Sequence, residues 1–290
     1  MPQQQPPTAD EDPQQTPPFY DPNLPHDLTT LRGTSTILDT PPTTSKILAP
    51  LTPSSLRKRQ LDIIPTRQST TTNPDPNTVL IVIPTANQGK VTLLQTHLRH
   101  TAPAHINLLY PALTISDASS EVGEQPYDGA GPRGAVNRVV NAARRLLFGE
   151  YQGELVGVGT VLVASVENFI FRGDSGPVDY GVVVFCRIPL LDQKKGDDDA
   201  WEWETGVSRG VTVPVGFWKR GEGFGFEDDT GTTGVGEHGK VSVGEVLADN
   251  VAGLDKADWH LELAGRSRYG LLQEAMDKMV VPWPKVSLGD

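Results

Sequence analysis

The chain has 290 residues and a formal net charge of −11, enough length for one large domain or two small ones with a core of their own. That charge excludes a general role on duplex nucleic acid, which needs a basic face, but it leaves room for a local basic pocket around a small anion. The single cysteine, Cys186, stands in the apolar run Val182–Arg187; no internal disulfide can form, and the thiol reads as a small core hydrophobe.

No apolar run reaches the roughly 18–20 residues of a membrane span. The opening residues, MPQQQPPTADEDPQQ, lack the basic-then-apolar pattern of a secretory signal. The expectation is a soluble protein, cytoplasmic with a nuclear location open, and no membrane partner.

Of the 25 prolines, 15 precede residue 79, among Gln and Thr clusters. Such a composition offers little apolar surface to offset ordering entropy, so 1–77 reads as a disordered proline-rich tail. Within it Arg57-Lys58-Arg59 lies beside an apolar patch, Leu61–Ile64, and reads as a docking motif, a weak nuclear-import signal or a chance triplet.

The texture changes at residue 78. Val79–Ile83 is a continuous run of branched apolar residues, the pattern of a strand buried on both faces. Gln88–His100 carries Val91, Leu94 and Leu98 at helical spacing, and Ile106–Ile115 is a second strand candidate. Pro132–Phe148 is the clearest helix, with Pro132 at its first position and one apolar face from Ala135 to Leu147. Leu155–Ser165 and Tyr180–Ile188 read as two more strands, 194–199 as an acidic surface loop, Val211–Trp218 as strand-like, and 221–239 as a mobile glycine-rich loop. Val241–Asn250 and Ser267–Val281 close the chain as helices. Strands alternating with helices predict an α/β fold with a mixed, mostly buried sheet over 78–285.

The stretch Thr85-Ala-Asn87-Gln-Gly89-Lys90 follows the first strand directly. The first N–H groups of the helix lack partners and carry the positive dipole end, where a phosphate fits. Glycine lets the backbone approach an anion, Lys90 brings a mobile charge, and Thr85 and Asn87 can orient a ligand. An ordinary strand-to-helix turn would read the same way. Gly234–Val241 mimics a phosphate-binding loop, but Val241 stands where Ser or Thr is needed and no buried strand precedes it. The six histidines form no zinc pattern. Glu167 interrupts the apolar run Val161–Ile170; it either finds a partner or a metal, or faces water at a strand end. Asp179 opens the next strand. Asp117, Glu121, Glu124 and Asp128 crowd the stretch before the Pro132 helix and could hold a hard cation such as Mg²⁺.

In this order the pieces resemble the noncanonical purine NTP phosphatases, also called inosine/xanthosine triphosphatases, of the ITPase-like superfamily. The resemblance rests on Thr85-Ala-Asn87-Gln-Gly89-Lys90, on the block Val122–Ala142 with Gln125, Pro126, Arg133, Gly134, Ala135, Asn137 and Arg138, and on the strand ending at Glu167. Gly206–Pro214, Val243–Asp249 and Leu263–Met276 extend it over roughly 79–284. It implies an elongated mixed sheet with flanking helices and a central cleft, a homodimer, and Mg²⁺-dependent (or Mn²⁺-dependent) hydrolysis of a small-molecule nucleotide, ITP or XTP. Carried over, Thr85, Asn87 and Lys90 would hold the triphosphate, Arg133, Asn137 and Arg138 would flank it, Gln125 would lie near the nucleotide, and Arg268 matches the arginine opening the last helix. Glu167 and Asp128 would be the metal carboxylates and, with Lys90, the catalytic groups.

Two departures stand out. Asn168-Phe169 replaces the small residues that follow the glutamate in the family, so Phe169 is expected to crowd the cleft. The acidic run after Gln-Pro is reduced to Asp128. These features resemble a eukaryotic branch that also includes proline-rich coiled-coil-containing proteins. They keep a second reading open: a catalytically inactive adaptor that recruits partners through its proline-rich tail.

Overall fold

The computed structural model describes residues 17–39, 42, 46–61, 74–110, 118–149, 151–190, 201–227 and 236–285. Helix α1 (Leu28–Leu31) and strand β1 (Ile37–Leu38) are followed by a 3₁₀ turn, Ala49–Leu51, and α2 (Pro53–Leu61). Next come β2 (Asp75–Val82), α3 (Gln88–Thr101), β3 (Asn107–Leu109), β4 (Gln125–Pro126) and α4 (Ala130–Phe148). The hairpin β5 (Val158–Gly173) and β6 (Gly176–Pro189) leads to β7 (Glu202–Val207), β8 (Gly210–Thr212) and α5 (Val215–Glu222). The chain closes with β9 (His238–Gly239), α6 (Val243–Asn250), α7 (Trp259–Ala264) and α8 (Arg268–Met276).

The main sheet is mixed, in the order β1-β8-β6-β5-β2-β3, with β7 also paired to β6. β2 runs parallel to β3 and β5, and the other pairs are antiparallel. The two strands expected over 155–165 and 180–188 are one long hairpin, paired from Thr160↔Pro189 to Gly173↔Gly176. Alternation along it feeds two cores. Val161, Val163, Phe169, Val182 and Val184 face α4, while Leu162, Ala164, Val166, Val183 and Phe185 face α3 and α8. A third core around Ile170, Val211, Phe217, Leu247, Trp259 and Leu263 gathers α5, α6 and α7 beyond the far end of the hairpin.

The termini of α3 and α4 matter for the site. Asn87 caps α3, its side chain accepting from the Lys90 N–H at 3.0 Å, which satisfies one orphan donor of the first turn. α4 starts at Ala130, two residues before the expected start. Pro132 therefore lies inside the first turn, where its missing N–H still costs nothing.

Several expectations change. Residues 17–39 and 46–61 are packed, so disorder over 1–77 does not describe them; residues 1–16 lie outside the described residues. Leu31, Ile47 and Leu56 are buried in the cores, β1 adds to the sheet edge at β8, and Asn250 accepts from the Asp21 N–H at 2.7 Å. A few well-spaced apolar residues suffice to hold a proline-rich segment, each contributing about 1.5–3 kcal/mol when fully buried. The strand-like 211–218 divides into β8 and α5, because Pro214 takes the N-cap position and starts a helix. The glycine-rich loop is anchored at both ends by α5 and by the β4–β9 pair; 228–235 and the acidic loop 194–199 lie outside the described residues. α8 ends at Met276, short of the expected Val281. Among the described residues no helix is long and apolar enough to cross a membrane.

Candidate functional site

A cavity of about 780 Å³ opens where the β2–α3 turn, α4 and the hairpin meet the segments before α6 and α8. Thr85, Asn87, Lys90, Gln125, Arg138, Glu167 and Arg268 all line it. Seven residues spread over 184 positions of sequence thus share one wall system.

Glu167 lines the cavity and is 7% exposed. Arg138 Nε donates to its Oε2 at 2.7 Å, and Lys90 Nζ lies 3.5 Å from its Oε1. Burial by itself raises the Glu167 carboxyl, but the attraction of Lys90 and Arg138 outweighs it and holds the group below the usual carboxylate value. The strand carboxylate has therefore found partners, one of the alternatives its sequence position left open. Burial pushes the Lys90 amine down, with Arg268 and Arg138 adding to the effect and Glu167 opposing it. Lys90 also donates to the Val166 carbonyl at 3.2 Å, and Arg138 to those of Ala118 at 3.2 Å and Pro84 at 3.4 Å. The head groups are held by backbone before any ligand arrives, which lowers the cost of ordering them on binding.

Thr85 accepts from the Asn87 N–H at 3.2 Å, closing the turn before α3. Gln125 accepts from the Val243 N–H at 3.1 Å, tying α6 to the cavity wall. Arg268 donates to buried Asp179 at 3.2 Å, and His260 Nε2 meets the same carboxylate at 2.5 Å. Asp179 also lines the cavity. Further along lie Glu121, Glu124, Glu227 and Glu245, with Lys256 3.5 Å from Glu245. The cavity thus has a cationic end at α3 and a carboxylate-rich end near α6.

Three of the expected site residues are placed elsewhere. Arg133 turns away from the cavity to Glu237 at 2.7 Å and to His238 Nε2 at 3.1 Å. Five residues along a helix turn a side chain by about 140°, so Arg133 and Arg138 cannot face one cleft. Asp128, in a left-handed conformation with φ of 49°, accepts from Arg172 N and Nε at 2.8 and 2.9 Å. It lines a separate cavity and is not brought to Glu167. Asn137 is buried and structural: its amide donates to Ser120 O at 2.8 Å and its oxygen accepts from Arg59 at 2.6 Å. It holds the 118–121 wall and the α2 helix rather than lining the cavity. Asp117 lies outside the described residues.

Two glycines and one aromatic also read differently in place. A Cβ at Gly89 would collide with the Tyr269 ring, whose hydroxyl lies 3.5 Å from Asn87 Oδ1. The glycine makes room for α8 to cover the start of α3, not for an anion. A Cβ at Gly134 would meet Val122 Cγ2 at 2.5 Å and Glu167 Cγ at 3.4 Å, so this glycine lets α4 approach the cavity wall. Phe169 does not crowd the cleft; it is fully buried against Tyr180 and the α4 start at Gly131. Sequence reasoning missed His260, Trp259, Tyr269, Lys256 and Ser242. A signal existed for Ser242 alone, since Ser242-x-x-Glu245 is a capping-box pattern, and both halves of that box form.

The donor set for a divalent cation is thin. Among the described residues no group of three or more His, Cys, Asp or Glu side chains is gathered to hold a metal ion, and both Glu167 oxygens already face cations. Mg²⁺ typically takes one or two carboxylates and draws its other ligands from phosphates and water. Glu167 fits that limited role, whereas Asp128 does not. No protein-family model matches the chain, and no curated protein sequence matches it.

Proposed function

We propose that the cavity binds a nucleoside triphosphate and that the protein hydrolyses noncanonical purine triphosphates, ITP or XTP, with Mg²⁺ or Mn²⁺. The observation that carries this reading is the convergence of Lys90, Arg138, Arg268 and Glu167 on one preorganised cavity at the N-terminus of α3. A triphosphate needs several fixed cations, and the lysine and the two arginines supply them with planar and point charges side by side. The cavity volume suits a nucleotide-sized ligand.

In this reading Lys90, Arg138 and the first turn of α3 grip the phosphates, and Arg268 extends the grip along the wall. Glu167 holds the cation that arrives with the triphosphate, and can also orient the attacking water. A bound divalent cation offsets charge developing on the phosphate oxygens. Gln125 keeps the α6 end in place around the rest of the nucleotide.

The inactive-adaptor reading keeps one specific support: both Glu167 oxygens are engaged by Lys90 and Arg138, leaving a carboxylate that is well tied for binding and poorly freed for chemistry. Packing of residues 17–39 and 46–61 onto the domain removes much of the free tail that reading requires. Turnover by the full chain separates the two. Phosphate or diphosphate should be released from ITP or XTP with Mg²⁺, with little from ATP, and Glu167→Gln should keep binding while losing turnover. Binding without turnover across a nucleoside triphosphate panel would leave the adaptor reading, and no binding would remove both the substrate and the site.

A further inference from the structure

Beside the cavity, sharing Asn168, Asp179 and Arg268 with it, lies a much smaller pocket of about 10 Å³, also lined by Ser208 and His260 among others. That is the size of a single water site. Three buried polar atoms on its lining residues have no protein partner: Asn168 Oδ1, His260 Nδ1 and Arg268 Nε. Ser208 Oγ and Asp179 Oδ2 there already have partners. Ser208 Oγ accepts from Gly181 N and donates to Arg209 O, both at 2.8 Å. Asp179 Oδ2 takes His260 Nε2 and Arg268 NH2.

The donor and acceptor roles of the three orphan atoms follow from their neighbours. Asn168 donates its amide N–H to Tyr180 O at 3.4 Å, which leaves its oxygen as an acceptor. His260, 2% exposed, presents Nε2 to a carboxylate; that nitrogen carries the proton, and Nδ1 of the neutral ring is an acceptor. Arg268 Nε–H is a donor. One water has two hydrogens and two lone pairs. Its two donors match Asn168 Oδ1 and His260 Nδ1, and its lone pairs match Arg268 Nε–H. Left unmade, each would carry the desolvation penalty of a buried polar group.

We propose that Asp179, His260 and Asn168, joined by one buried water, form a cradle that fixes the Arg268 guanidinium at the cavity wall, making them positioning residues for anion binding. Asp179 holds one edge of the guanidinium through NH2, and the water holds Nε. Two anchors in the guanidinium plane remove the rotations about the end of the side chain, so its remaining N–H groups are aimed before a ligand arrives. The part concerning anions rests on the nucleotide reading; the cradle itself does not.

High-resolution crystallography and side-chain NMR on the full chain test it. One ordered water should lie within hydrogen-bond distance of all three atoms. His260 should be the neutral Nε2–H tautomer at pH 7, and Arg268 Nε–H should give one slowly exchanging signal. That signal should be lost in His260→Phe and in Asn168→Leu, each verified as folded by circular dichroism. The affinity for inorganic triphosphate should fall about tenfold in both, the worth of one well-placed charge-assisted hydrogen bond. An Nδ1–H tautomer, no ordered water, or an unchanged Arg268 signal in both folded variants would overturn the cradle. If the water and tautomer are in place but the wild-type protein binds no triphosphate, the cradle stands and the nucleotide reading falls.

Discussion

Helix α4 carries two charged clusters on different sides, and they behave in opposite ways. On one side Arg138 meets Glu167 and Lys90 at the edge of a large cavity. On the other, Arg133 pairs with Glu237 while Asp128, just before the helix, pairs with Arg172. Both clusters use the same residue types within one sequence block. The first is an excess of cations around a buried carboxylate, open to a cavity that can admit an anion. The second balances its charges, Arg133 with Glu237 and Arg172 with Asp128 and Glu222, and fastens β5 and β9 around the helix start beside a separate cavity. Charge type identifies neither as a site; what separates them is whether the pairing is complete and what space it faces.

The largest expected contrast is in ligand binding. Lys90→Met should weaken triphosphate binding by about 2–3 kcal/mol, some 30- to 150-fold, because it removes a desolvated charge partner. Arg133→Ala should change it less than about twofold, as befits a charge outside the site. Isothermal titration of both variants reads the difference, and equal losses would erase the distinction between the clusters.

Stability should follow the same division. Glu167→Ala leaves Lys90 and Arg138 facing each other without a counter-charge and should cost about 3 kcal/mol in chemical denaturation. Asp128→Asn keeps an acceptor for Arg172, and asparagine tolerates the left-handed backbone, so its cost should stay within about 1 kcal/mol. Gly134→Ala forces a methyl onto Val122 and should cost about 1–3 kcal/mol by overpacking the wall behind Glu167. A stability for Gly134→Ala equal to wild type would show that the close approach is not required.

Acid sensitivity sharpens the contrast with the smallest signal. Burial lowers His260 below its ordinary 6.5, so the unfolded chain takes up a proton there that the fold refuses. Stability should begin to fall as pH drops below about 6.5 and continue until the folded histidine protonates. Glu167 and Asp179 are held below their ordinary values of 4.5 and 3.8 by their cationic partners, against the opposing effect of burial. Their contribution is complete above those values and is lost as pH falls through the lower folded ones. Glu222, beside Arg172, is raised by burial and acts in the opposite sense, holding its proton more tightly in the fold. Midpoints measured from pH 8 to pH 3 should fall in two steps, and His260→Phe should diminish the upper one, which His97, also lowered by burial, shares.

Much of the sheet and the cationic end of the cavity were legible in the sequence. β2 and α4 declared themselves through a run of branched residues and a clean helical face. Thr85, Asn87, Lys90, Gln125, Arg138, Glu167 and Arg268 meet because the turn from β2 into α3 and the start of α8 are brought against the middle of α4 and of β5, beyond the end of the parallel β2–β5 pair. Arg133 was misplaced because a motif names residues without their angle about the helix. Asp128 was misplaced because a lone carboxylate gives no hint of the strand arginine that captures it. His260 left no local signal, since its partner Asp179 is 81 positions away. Segments 17–39 and 46–61 hid their packing behind the prolines around them: composition averages over Leu31, Ile47 and Leu56, which are few but buried.

Calorimetric titration of the full chain with ITP, in the presence and absence of Mg²⁺, tests the central claim most directly when Lys90→Met is run alongside. Saturable binding by the wild-type protein, strengthened by Mg²⁺ and lost in the variant, is the expected result. Absence of binding, or binding that survives loss of the Lys90 amine unchanged, would contradict the assignment of the cavity to a triphosphate.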